Sequence, residues 1–123
     1  MGDVYLLTDK RSYSASSSFA ATVKCYGLGL IIGEETGGTK IFYANSIGKA
    51  TPHSNLYCNV ATTTKFTTCF DAPDVGIQPD LVAKPTIPQL VAQQDVALNY
   101  ALLVIRKKEK MRKKQLESTE KKP

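Results

Sequence analysis

The sequence of 123 residues contains no tryptophan, one histidine and three cysteines, and it has no long apolar run. Structural zinc sites typically combine CxxC pairs with further Cys or His ligands, and no CxxC pair is present here. A helix that spans a bilayer needs about 20 consecutive apolar residues, and no segment approaches that length. We therefore expect no metal, no other cofactor and no transmembrane segment.

The N-terminus also lacks two features. It has neither the basic region nor the long apolar region of an export signal. An apolar, strand-like run begins at Val4, almost at the first residue. We therefore expect that residues which normally precede this strand are absent, and the sequence does not indicate a compartment.

Charge is distributed unevenly along the chain. Residues 106–123 contain nine Lys or Arg against three Glu, whereas residues 1–105 contain seven Lys or Arg against eight Asp or Glu. The net charge of +5 therefore comes from the C-terminal segment. Such a segment can contact nucleic acid or anionic lipid, but it has no aromatic residue for base stacking. We interpret it as the solvated end of a helix and expect no nucleic acid partner.

Two short apolar runs flank a helical pattern in the first third of the chain. The runs cover residues 4–8 and 28–32, and the helical spacing covers residues 19–26, with Gly27 as a helix stop. Runs without alternation are typical of strands buried on both faces. The pattern predicts a βαβ unit with parallel strands and a right-handed crossover.

The middle of the chain interleaves β-branched and aromatic residues with polar ones, which is typical of short strands. We predict strands near residues 41–44, 56–61 and 65–70. The last two would form a hairpin that turns at residues 62–64.

The three cysteines fall on these predicted elements. Cys58 and Cys69 could face each other across the hairpin, although the spacing does not indicate a disulfide. Cys25 lies in the predicted helix, where we interpret it as a small buried apolar residue.

The C-terminal third predicts two helices. Thr86 and Gln89 have capping-box spacing, with a proline in the first turn. Asp95 would cap a longer helix through Ile105. Beyond Arg106 the apolar stripe thins, so we expect this helix to fray.

A serine-rich stretch, residues 12–18, separates the first apolar run from the helical pattern. A sharp turn from strand to helix can hold a hydroxyl out for nucleophilic attack, next to unpaired N–H groups at the helix N-terminus. Serine is also a favoured helix cap, so a capping role is the alternative. Five serines compete for either role on composition alone: Ser12, Ser14, Ser16, Ser17 and Ser18.

Three segments, in their order and spacing, resemble the C-terminal processing, or tail-specific, family of serine peptidases. They are residues 4–16, 26–38 and 76–80, and a helical pattern over 95–102 follows them. The resemblance covers residues 4 to about 105. It implies the C-terminal half of the family's catalytic domain: an α/β fold related to the Clp protease and crotonase folds, with a mixed sheet, a crossover helix and a C-terminal helix.

The resemblance places the family's nucleophile on Ser14. It also implies that the backbone N–H of Ala15 donates to the oxyanion, which agrees with a helix N-terminus at that point. The chemistry implied is attack on a peptide carbonyl, an acyl-enzyme, and hydrolysis by water.

The resemblance leaves two possible bases. Processing-type members use a lysine after the glycine-rich turn. In this sequence the position of that lysine falls on Thr39, and Lys40 follows one residue later. A one-residue shift in extended backbone moves a side chain to the opposite face, so Lys40 can act only if the loop is bulged. Other members use a histidine from the N-terminal half, which would lie upstream of residue 1. Asp71 or Asp74 would support that histidine, whereas His53 is not at a matching position.

The implied substrate is an extended polypeptide cleaved near its C-terminus, and the family's usual location is periplasmic or extracellular. We divide the chain into residues 1–105, a half-domain, and residues 106–123, a basic helical or disordered tail. The missing N-terminal half, or a homo-oligomer, would complete the site. The alternative is a non-catalytic, peptide-binding relic of the same fold.

Overall fold

The computed structural model describes residues 2–69 and 74–120, and side chains within these ranges up to residue 118. It is a mixed α/β structure with five strands and three helices in the described residues. In chain order they are β1 (Tyr5–Thr8), α1 (Ala15–Cys25), β2 (Leu30–Gly33), β3 (Ile41–Ala50), β4 (Tyr57–Phe66), β5 (Leu81–Val82), α2 (Ile87–Val91) and α3 (Val96–Glu120).

The strands form two sheets. The first is parallel with strand order β1-β2-β5, and the second is the antiparallel pair β3-β4. β1 pairs with β2 from Tyr5↔Leu30 to Thr8↔Gly33, with α1 between them in sequence. The predicted parallel βαβ unit is therefore confirmed. Gly27 has a φ of 59° just after α1, so it provides the left-handed residue that ends a helix.

The core lies on both faces of β2. Ile31 packs with Ala20 and Val23 of α1, whereas Ile32 packs with Ala101 of α3 on the opposite face. Both isoleucines are fully buried, because successive residues of a strand point to opposite faces. The prediction of double-sided burial is thus correct for β2.

The same prediction is wrong at the end of β1. Leu7 is exposed because a cleft of about 770 Å³ opens beside it, between the carboxyl ends of the parallel strands and the segment that joins α2 to α3. The apolar pattern of residues 4–8 therefore does not predict which of these side chains are buried by the rest of the protein.

The hairpin prediction is also wrong in its register. β3 and β4 pair along ten residues each, from Ile41↔Phe66 to Ala50↔Tyr57, so the turn lies at residues 51–56. Thr51 N–H donates to Leu56 O at 2.9 Å across this turn. Residues 62–64, three β-branched threonines, lie within β4, since such side chains favour extended backbone over a turn.

The arrangement of the cysteines differs from the predictions: Cys25 is half-buried and disulfide-bonded rather than a buried apolar residue, and Cys58 does not face Cys69. A disulfide joins Cys25 to Cys69, with their Cα atoms 5.9 Å apart, and Cys58 is an exposed free thiol. Cys58 lies on β4 near the tip of the hairpin, whereas Cys69 lies beyond its base. Because β4 is extended between them, the two cannot meet, and Cys69 instead meets the last residue of α1.

The C-terminal helices begin as predicted but the second does not fray. Gln89 Oε1 accepts the Thr86 N–H at 2.8 Å, and Asp95 Oδ1 accepts the Leu98 N–H at 2.9 Å, so both caps are present. α3 continues through the basic segment, whose Lys, Arg, Glu, Gln and Leu residues are good helix formers. Within the described residues, no helix is both long enough and apolar enough to cross a membrane.

Candidate active site

Ser14 occupies the N-cap position of α1 in a backbone conformation that serine rarely adopts. Its φ is 52° and its ψ is −115°. A positive φ is uncommon for a residue with a Cβ and costs of the order of 1–3 kcal/mol. The side chain of Ser14 is exposed. The chain thus leaves β1 and enters α1 through a sharp turn that presents this hydroxyl to solvent.

The other serines of the stretch have different environments. Ser12 Oγ accepts the Asp9 N–H at 3.2 Å, and the buried Ser17 hydroxyl donates to Ser14 O at 3.1 Å. Ser18 Oγ is buried without a hydrogen-bond partner in the described chain. Ser14 and Ser16 alone of the five are exposed.

The capping role considered for this stretch is not filled by the Ser14 side chain. Although Ser14 is the N-cap residue, its hydroxyl forms no capping hydrogen bond within the described residues. The backbone carbonyl of Ser14 accepts the Ser18 N–H at 3.0 Å. Ala15 is the first residue of α1, where N–H groups have no intrahelical acceptor and the helix dipole is positive. The exposed Ser14 residue is therefore followed directly by an Ala15 N–H group that no carbonyl of α1 accepts.

The loop before Ser14 is held by Asp9. Its Oδ1 accepts the Arg11 N–H at 2.9 Å, and its backbone carbonyl accepts the Ser12 N–H at 3.0 Å. Burial is the largest single influence on the Asp9 pKa and raises it, but the hydrogen bonds from Arg11 and Ser12 together lower that pKa. The carboxylate form of Asp9 is therefore the one that holds the loop.

The glycine-rich turn, residues 33–38, packs directly against the Ser14 turn, residues 12–15. Gly38 N–H donates to Ser12 O at 2.9 Å. A Cβ on Gly38 would lie 2.2 Å from Ser17 Oγ and 3.1 Å from Ser14 N. A Cβ on Gly37 would lie 2.1 Å from Lys10 O. These two glycines are thus required for the close approach of the two turns.

Glu35 ties the same two turns to the later Gly-Ile-Gln-Pro-Asp segment. Its carboxylate lies 2.9 Å from Lys10 Nζ and accepts the Gly76 N–H at 3.1 Å. The hydrogen bond from Lys10 is the main cause that lowers the pKa of Glu35, and further hydrogen bonds from Gln78 and Gly76 lower it too, against a smaller opposing effect of burial. Sequence reasoning missed Glu35, which carried no signal beyond its place in the glycine-rich stretch.

Lys40 lies beside the C-terminal half of α1. It lines a small cavity of about 260 Å³ with Ala21 and Cys25, which are seven and eleven residues after Ser14 and so roughly 10–16 Å along the helix. Its backbone carbonyl accepts the Thr67 N–H at 2.9 Å. Thr39 forms an antiparallel bridge with Gly76. The structure therefore brings Lys40 to this cavity, whose lining does not include Ser14.

The remaining candidates lie beside the base of the hairpin, at its tip or outside the described residues. Asp74 Oδ1 accepts the Ile41 N–H at 2.9 Å, so this carboxylate holds the base of β3. His53 is exposed in the turn at the far tip of the hairpin. Asp71 lies outside the described residues.

Asp80, at the end of the Gly-Ile-Gln-Pro-Asp segment, has a structural role. Its Oδ2 accepts the Ile31 N–H at 2.9 Å, and its Oδ1 lies 3.2 Å from Lys24 Nζ. Lys24 also donates to Gln78 O at 2.6 Å. The aspartate thus joins β5 to β2 and α1. The sequence places Asp80 at the end of the third segment of the resemblance, residues 76–80, but does not indicate these contacts.

A family model, Peptidase family S41, matches residues 1–83 of this sequence. The chain belongs to peptidase family S41. The matched region extends from β1 through β5 and contains the Ser14 turn, the glycine-rich turn and the Gly-Ile-Gln-Pro-Asp segment, so the resemblance to the C-terminal processing peptidases is confirmed. No curated protein matches the chain. Membership of family S41 makes this a peptidase-type domain, whose substrate class is polypeptide.

Proposed function

We propose that this S41 chain provides the nucleophile of a serine peptidase, and that Ser14 is that nucleophile. One observation carries the proposal: Ser14 takes a positive φ of 52° at the N-terminus of α1, and its exposed hydroxyl makes no capping bond within the described residues. An ordinary cap would use its oxygen for the helix. Strain at an exposed hydroxyl is instead typical of a strand-to-helix nucleophile turn.

The proposed reaction is acyl transfer to Ser14 and then to water. Ser14 Oγ attacks the peptide carbonyl carbon while its proton passes to a base, and the oxyanion accepts a hydrogen bond from the Ala15 N–H. The C–N bond then breaks and the amine leaves with a proton. Water attacks the resulting ester, which releases the carboxylic acid and restores Ser14.

The base is the least defined part of the proposal. Lys40 is one candidate, and the cavity that it lines lies against the C-terminal half of α1. The other candidate is a histidine outside this chain, for which Asp74 or Asp71 would provide support. Asp74 already accepts the Ile41 N–H through Oδ1, so it would have to bind the histidine while it keeps that hydrogen bond. We favour the histidine because Thr39 occupies the position of the family's lysine.

We further propose that residues 1–105 form the C-terminal half of a Clp protease/crotonase-like catalytic domain. The parallel β1-β2-β5 sheet, with α1 and α3 on its two faces, supports this assignment. Residues 106–123 would be a basic tail. An N-terminal half-domain or a second copy of the chain would complete the site.

The experiment is labelling with a serine-reactive fluorophosphonate. We expect the parent protein, studied together with an N-terminal half-domain that provides the base, to be labelled at Ser14, and Ser14→Ala in the same context not to be labelled. Ser16→Ala is the matched control, because Ser16 is the other exposed serine of the stretch, and it should be labelled like the parent. Equal labelling of Ser14→Ala and the parent would overturn the assignment of the nucleophile.

A second candidate function is a non-catalytic, peptide-binding relic of the same fold. Thr39, where processing-type members have lysine, favours it. Labelling and peptide hydrolysis by a longer protein that includes an N-terminal half-domain would support the enzyme. A longer protein that binds peptides but neither hydrolyses them nor reacts at Ser14 would support the relic.

A further inference from the structure

We propose that Thr36 is a positioning residue that sets the Ser14 turn through the glycine-rich turn, an inference that rests on the proposed role of Ser14. Thr36 is buried, at 2% exposure, and lies in the described structure between β2 and β3. It touches neither the Ser14 hydroxyl nor the reacting atoms in the contacts described above. Its influence would pass through backbone hydrogen bonds.

The hydroxyl of Thr36 uses both of its hydrogen-bonding functions. It donates to Gly38 O at 2.7 Å and accepts the Ile77 N–H at 2.8 Å. The Thr36 N–H in turn donates to Ile77 O at 3.1 Å. Because Ile77 belongs to the buried core beside α1, Thr36 fixes Gly38 relative to that core.

Gly38 then contacts the Ser14 turn on two sides. Its N–H donates to Ser12 O at 2.9 Å, and the position of its absent Cβ is 3.1 Å from Ser14 N and 2.2 Å from Ser17 Oγ. Gly38 therefore takes part in both hydrogen bonds: its carbonyl accepts the Thr36 hydroxyl, and its N–H donates to Ser12 O. A shift of Gly38 would therefore move Ser12 and relax the unusual backbone of Ser14.

A buried threonine hydroxyl can also stabilise the fold without any effect on Ser14. A second buried threonine, Thr8, provides a matched control for this alternative. Thr8 is buried at 4% exposure, and its hydroxyl donates to Glu34 O at 2.8 Å. Thr8→Val removes the same group from the end of β1 without breaking a hydrogen bond to Gly38. Thr36→Ser keeps the hydroxyl and removes only a methyl group.

The experiment measures two quantities in the parent, Thr36→Val, Thr36→Ser and Thr8→Val. One is the rate of fluorophosphonate labelling at Ser14, and the other is hydrogen exchange of the Gly38 amide, which does not depend on reactivity. We expect Thr36→Val to slow labelling by about tenfold to a hundredfold, since misplacement of a reacting group by about 1 Å can slow a reaction by about a hundredfold, and to speed Gly38 exchange. Thr36→Ser should stay close to the parent, and Thr8→Val should change neither quantity at Gly38 or Ser14.

The inference is overturned if Thr36→Val matches Thr8→Val in both measurements. If the parent is not labelled at Ser14, the proposed nucleophile fails, and Gly38 exchange alone decides whether Thr36 positions the turn. Thr36→Ala, which removes the same hydroxyl with less bulk, replaces the valine variant if that variant does not fold. Labelling is measured well below the unfolding midpoint of each variant, so that unfolding does not contribute.

Discussion

Lys10 Nζ lies 2.9 Å from Glu35 Oε2, so an ion pair joins the loop that precedes Ser14 to the turn that follows β2. The two residues are 25 positions apart. The other Glu35 oxygen accepts the Gly76 N–H at 3.1 Å. One carboxylate thereby connects the three segments on which the family resemblance depends.

Substitution of Glu35 should reduce stability in a pH-dependent way. The pKa of Glu35 is lowered in the folded protein, so its stabilising contribution is present above the unfolded pKa and is lost as pH falls through the folded pKa. Glu35→Gln should lower the free energy of unfolding at pH 7 by less than about 1 kcal/mol, since the pair is partly exposed. Urea denaturation of both proteins at pH 7 and pH 3 measures this difference. A difference that is as large at pH 3 as at pH 7 would show that the charge is not responsible.

Removal of the Asp80 charge should destabilise the joint between β2, β5 and α1. Asp80 accepts the Ile31 N–H and pairs with Lys24, and hydrogen bonds to charged groups contribute about 1.5–3 kcal/mol. We expect Asp80→Asn to lower the free energy of unfolding by about 1–2 kcal/mol in urea denaturation. Asp74→Asn is the control, because the hydrogen bond that Asp74 accepts from the Ile41 N–H is exposed, whereas the one that Asp80 accepts from the Ile31 N–H is partly buried. An equal or larger effect of Asp74→Asn would contradict this ranking.

Reduction of the disulfide should destabilise the fold. Cys25 and Cys69 close a loop with a sequence separation of 44, and a crosslink of this kind stabilises by about 2–4 kcal/mol. Cys25→Ser should therefore lower the thermal unfolding midpoint, and a dithiol reductant should have no further effect on that variant. Cys58→Ser, which removes the exposed free thiol, should leave the midpoint and its sensitivity to the reductant unchanged. If the reductant left the parent's midpoint unchanged, the proposed contribution of the disulfide would be wrong.

The sequence predicted the parts of the fold that depend on local patterns. The first apolar run, the helix with its Gly27 stop and the second apolar run gave the parallel βαβ unit that is observed. The predicted hairpin turn is wrong: the Pro-containing segment at 51–56 forms the turn, whereas the threonines at 62–64 lie within β4. The same error places Cys69 within the hairpin, opposite Cys58, whereas β4 ends at Phe66.

The resemblance of three ordered segments to a known family identified the family and implied Ser14 for its proposed role, because such motifs are encoded in the order of residues along one chain. The tertiary structure decided what surrounds that serine. Three features of its surroundings depend on segments that are distant in sequence. They are the positive φ of Ser14, the close packing of Gly38 against its backbone and the Lys10–Glu35 ion pair. Contacts of this kind arise only when β1, α1 and β2 have packed together, so no local pattern predicts them.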